Sequence, residues 1–186
     1  VIDEDDAVFY GQLKKEKLVI SLEEFESALH RVPDEDLFPE LPSDATYTLA
    51  PDDSDNDKDA LHLKRPRLDY YHDYREQNAL HIIPEMLLDE VHALERVSQQ
   101  PHPGIIRYHG MPSSHKLRTC HKGLTLLDRL RVRRGRITAL VLDKHPRDLK
   151  AFLKEAIGQI DKEPFMAALE SAVKHLHLLG LAHNGM

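Results

Sequence analysis

Residues 84–110 read "PEMLLDEVHALERVSQQPHPGIIRYHG". Pro84 falls in the first turn of a helix, where a missing N–H costs nothing. Leu87, Val91, Leu94 and Val97 then recur at the spacing of one helical face. "PHPG" at 101–104 stops that helix, and "IIRYHG" at 105–110 reads as a strand. A helix feeding a strand places the centre of an α+β unit here.

Upstream, "ALHLKRP" at 60–66 reads as a strand that Pro66 ends or confines to a sheet edge. "ATYTLA" at 45–50 alternates enough for a further short strand, and "PDDSDNDKD" after it is too polar to be buried. A polar stretch carrying Tyr70, Tyr71 and Tyr74 leads into the helix. Nearer the start, Ser21 and Glu24 have capping-box spacing, predicting a helix over 22–30 with Leu22, Phe25, Ala28 and Leu29 on one face. Pro33 closes it, and "PDEDLFPELPSD" reads as an extended connection. Downstream, "RITALVL" at 136–142 reads as a buried strand and "DLKAFLKEA" starts a helix. Pro164 opens a long helix with Phe165, Leu169, Val173 and Leu176 on one face.

Composition narrows the classes. A chain of 186 residues with 41% hydrophobic content can bury one ordinary core. No run approaches the ~20 apolar residues of a membrane span. The start, "VIDEDDAVFY", is acidic where a secretory signal is basic, and its first residue is Val. A single cysteine, Cys120, excludes an internal disulfide framework and suits a reducing compartment, cytoplasmic or nuclear. Residues 1–60 carry 18 Asp/Glu against 5 Lys/Arg, whereas 61–186 carry 14 against 20. An acidic leader before a mildly basic body is not the footprint of a nucleic-acid binder. The 13 histidines invite a metal reading, at His175/His177 or Cys120/His121. An H-x-H pair on a helix points its rings about 200° apart, and no second cysteine exists, so no metal site is expected.

In order, "LHLKRP", "LLDEVHALERV", "PHPGIIRYHG", "RITALVLDKHPRDLKAFL" and "VKHLHLLGLAHNGM" resemble the protein-kinase domain. They are most similar to kinase-like proteins of filamentous fungi whose catalytic loops read "GLAHND". The likeness covers about residues 60–186. It implies a kinase small lobe, a short antiparallel sheet plus one helix, with the first helices of the large lobe attached. The implied division is an acidic leader at 1–44, small lobe and hinge at 45–145, and the start of the large lobe at 146–186. The implied activity is ATP-dependent phosphorylation of protein hydroxyls, with ATP and Mg²⁺ as cofactors. Lys64 would meet the α- and β-phosphates, and Glu90 would pair with it, with Glu95 the competitor for that role. Leu142 would guard the adenine pocket, and Asp143, Lys144 and His145 would form the hinge.

The departures from that pattern are as informative. Residues 45–60 contain no glycine, so no glycine-rich loop covers the phosphates. His183 and Asn184 align with the start of the catalytic loop, but Gly185 stands where the proton-accepting Asp belongs. No D-F-G follows within this chain. As written it is expected to bind ATP weakly or not at all and not to catalyse, with no membrane, nucleic-acid or specific oligomeric partner expected. Residues 111–130 read as an insert between two strands. The dipeptide Gly-Met at 110–111 and again at 185–186 is compatible with the GTATG start of short fungal introns. A truncated or unspliced kinase and a pseudokinase-like interaction module both fit. Either way, the long helix at 164–179 is expected to find too little to bury against.

Overall fold

A computed structural model describes residues 7–13, 19–43, 46–48, 50, 60–111, 135–155 and 160–182. Among them the chain is a mixed α+β structure with five α-helices and two small antiparallel sheets.

The larger sheet is built from β3 (Leu61–Lys64), β4 (Tyr108–Gly110) and β5 (Leu140–Asp143), in the order β3-β5-β4. In the β3–β5 register Lys64 faces Leu140 and Leu61 faces Asp143. β4 slips in register between Tyr108 and Gly110, and Gly110 has φ of 116°, a conformation that favours glycine at such a bulge. One face of this sheet is covered by α3 (Ile82–Ser98), which buries Ile83, Leu87, Val91, Leu94 and Val97. The predicted helical face is the buried one. Leu87, Val91 and Leu94 join Tyr108, Ile137, Leu140 and Leu142 in the main core.

A second core rests on the leader. β1 (Phe9–Tyr10) pairs with β2 (His30–Arg31), and the chain continues through a 3₁₀ turn at Asp34–Asp36. Val8, Val32, Leu37 and Phe38 pack there against Ile83 and against Tyr71 of α2 (Tyr71–Glu76). The Tyr71 hydroxyl donates to Asp36 at 3.1 Å, and burial together with that carboxylate pushes its pKa up to about 12. The leader also runs beside the strand-side segment before β5. Ile137 N–H donates to the Pro39 carbonyl at 2.9 Å, and Arg136 reaches Phe38 O and Glu40. Val8, Val32, Leu37 and Phe38 of the leader therefore complete the body, however acidic the segment as a whole.

Several expectations are corrected. The residues described in 45–50 form no regular strand, although Met111 N–H donates to Thr48 O and Ala50 N–H to Met111 O, at 2.9 and 2.7 Å. The strand expected at 105–110 is regular only from Tyr108, and that at 136–142 only from Leu140. Within the polar tyrosine stretch, Tyr71–Glu76 is helical and Tyr70 precedes it. The helix α1 (Leu22–Ala28) has its capping box, with Glu24 N–H donating to Ser21 Oγ at 3.2 Å, but it buries no residue. Met111, the first residue of the expected insert, is fully buried in the main core; 112–134 lie outside the described residues.

α4 (Leu149–Glu155) and α5 (Lys162–Leu178) follow. Asp148 and Asp161 accept backbone N–H bonds at their starts. α5 ends through paired bonds, Gly180 N–H to His177 O and Leu181 N–H to Leu176 O, both 2.9 Å. Of its described residues only Ala172 is buried, and Phe165, Met166 and Leu169 stay exposed.

Candidate functional site

The period-2 geometry of β3 puts Lys64 on the sheet face that α3 covers, opposite Leu140. Glu90 lies on α3 one residue before Val91, which is fully buried. The helix therefore holds this carboxylate at the margin of the core. The Lys64 ammonium donates to Glu90 Oε1 at 2.5 Å. Both side chains keep partial solvent access, 44% and 32%. The lysine and glutamate singled out in the sequence are thus in contact.

Glu95, the competitor, is committed elsewhere. Its carboxylate accepts from Thr48 N–H and Thr48 Oγ1, each at 2.8 Å, and from the Tyr108 hydroxyl at 3.1 Å. Burial, with Glu95 beside it, raises the Tyr108 phenol well above its ordinary pKa. Glu95 ties the segment before β3 and the strand β4 to one helix. Sequence reasoning missed that role, since Thr48 and Tyr108 lie far from it in the chain.

Leu142 is buried on β5 with His62 on one side and Tyr108 on the other. Asp143 turns its carboxylate to His109 Nε2 at 2.6 Å. Lys144 N–H donates to Ala60 O at 2.7 Å, which leaves the backbone at the end of β5 in sheet-like contact with the start of β3. His145 is exposed. His183, Asn184 and Gly185, expected at a catalytic-loop position, lie outside the described residues, as does Cys120.

These groups do not open on one cavity. Lys64 and Glu90 line a cavity of about 240 Å³ together with Tyr70, Tyr74, Met86 and Leu87. The expected hinge contributes nothing to it. Asp143 and His145 instead border a larger cleft of about 840 Å³ with Thr48, His102 and Arg107. The tyrosine-lined cavity could not be read from sequence, because α2 carries no strong periodicity of its own.

Of the histidines named for a metal reading, His175 meets His102, and His121 lies outside the described residues. His102 Nδ1 accepts from Gly104 N–H at 3.0 Å, its Nε2 lies 3.1 Å from Ser171 Oγ, and its ring stacks on that of His175. His175 Nε2 in turn lies 2.7 Å from Gln100 O. No group of three or more His, Cys, Asp or Glu among the described residues could hold a metal. No helix among them is long and apolar enough to cross a membrane. In comparisons with protein-family models, curated proteins and solved structures, nothing matches this chain.

Proposed function

We propose that this chain is a protein-kinase-like small lobe with the start of a large lobe, one that engages adenine nucleotide weakly and does not transfer phosphate. The observation that carries the reading is the Lys64–Glu90 contact between β3 and α3. In phosphoryl transfer a flexible ammonium has to be aimed at the nucleotide phosphates, and a carboxylate on an adjacent helix aims it. That the two residues are half-exposed beside a cavity favours this over a buried structural pair. Both limits follow from the residues: 45–60 lack the glycines that let a backbone cradle phosphates, and Gly185 offers no proton acceptor for transfer. Lys64 could meet the phosphates, but it and the 143–145 segment border separate cavities, and the N–H groups of Asp143 and Lys144 are already bonded to Arg107 O and Ala60 O, which weakens any grip on ATP further.

The test is a titration of ATP into the isotope-labelled chain, followed by amide chemical shifts with and without Mg²⁺. Millimolar, Mg²⁺-independent shifts centred on Lys64 and 143–145, lost in Lys64→Met, are expected. Shifts that avoid both regions would overturn the reading, as would micromolar binding that requires Mg²⁺. A second reading, a non-catalytic interaction module, is favoured by the exposed apolar residues of α4 and α5.

A further inference from the structure

Two exposed surfaces of this chain complement one another. The first is α1, where Leu22 is 72% and Phe25 39% exposed and no residue is buried. Next to the Leu22–Phe25 edge runs a row of Glu23 and Glu26, both exposed, and the helix contains no cation. The second is an open groove of about 1040 Å³ between α4 and α5, floored by Leu149, Leu153, Phe165 and Met166. All four are exposed, and Lys150 and Lys154 also line the groove. On α4 the leucines and the lysines form adjacent i, i+4 rows. On α1 the apolar and acidic residues form adjacent i, i+3 rows. An apolar edge with a carboxylate row thus faces, in kind, an apolar groove with an ammonium row.

We infer that α1 of one copy of this chain docks in the α4–α5 groove of a second copy. The apolar edges supply burial, and the glutamate and lysine rows set orientation. Each copy carries both surfaces, so the contact can be made reciprocally in a two-fold pair or repeated head to tail. It is independent of nucleotide binding.

The experiment is sedimentation of the full chain over a concentration series. Wild type is expected to gain mass with concentration, less so at high salt. A chain carrying Glu23→Lys and Glu26→Lys, and another carrying Lys150→Glu and Lys154→Glu, should each self-associate at least about tenfold more weakly. These are exposed sites, so circular dichroism should show both variants folded. Mixed in equal amounts, the two should associate again, since every α1 then meets a groove of opposite charge. General aggregation through exposed apolar surface would not follow this pattern. A wild-type chain that stays monomeric, a reversal that changes nothing, or a mixture that fails to recover would each overturn the inference. Monomeric behaviour would instead leave the groove to an acidic helix of another protein.

Discussion

Two carboxylates on one helix, Glu90 and Glu95, do different work, and their surroundings separate them. Glu90 makes a single contact with a half-exposed ammonium, and such pairs contribute only about 0–1 kcal/mol to stability. Glu95 accepts from three donors on two distant segments. Its removal would strand the Tyr108 hydroxyl within a buried residue. Lys64→Met should therefore lower unfolding free energy by less than about 1 kcal/mol. Glu95→Ala should cost about 2 kcal/mol, the range for hydrogen bonds to charged groups. Urea unfolding of both variants checks this. Equal losses would mean that the Lys64–Glu90 pair is chiefly structural and would remove the main support for a nucleotide role.

At the scale of elements, the helices divide by whether their apolar face meets a sheet. α3 was legible because its periodicity is local and one partner strand, β4, follows it directly in the chain. Leu87→Ala should thus cost about 2–4 kcal/mol through the cavity it leaves. Leu22→Ala on α1, equally apolar in sequence, should cost under about 0.5 kcal/mol, as an exposed site does. Thermal melts of the two variants measure the difference. The capping box of α1 was equally legible, but a cap fixes where a helix starts and not what it packs against. α2 and the β1–β2 ladder escaped notice for the opposite reason. Tyr71 is buried only because Val8, Val32 and Leu37 arrive from more than thirty residues away, a dependence no local pattern carries. The same holds for the candidate site. Lys64 and Glu90 could be paired from the resemblance, whereas the cavity beside them depends on α2.

The whole molecule joins a well-packed centre to a lightly attached end. The centre, α3 with β3, β4 and β5, shares a core in which Val91, Met111, Ile137 and Leu140 are fully buried. α5 holds on mainly through polar contacts near its C-terminal half: His175 to Gln100 O, His102 to Ser171, and Arg96 to Leu179 O at 3.1 Å. Ala172, buried, lies over Gly104, where an added Cβ would come within 3.2 Å of the alanine methyl. Among the described residues the N-terminal half of α5 has no such anchor, and Phe165, Met166 and Leu169 are exposed there. Local opening free energy follows burial, so native-state hydrogen exchange should grade along the chain. Amides of α3 and β5 should exchange slowest, and those of α5 before Ala172 markedly faster than those after it. Gly104→Ala should widen that gap by crowding Ala172 and loosening α5, while leaving α3 protection unchanged. Uniform protection along α5 at micromolar concentration would have one of two sources. If it faded on dilution, a second copy would be covering the exposed face; if it persisted, the helix would be held within one chain and the division between centre and end would be wrong.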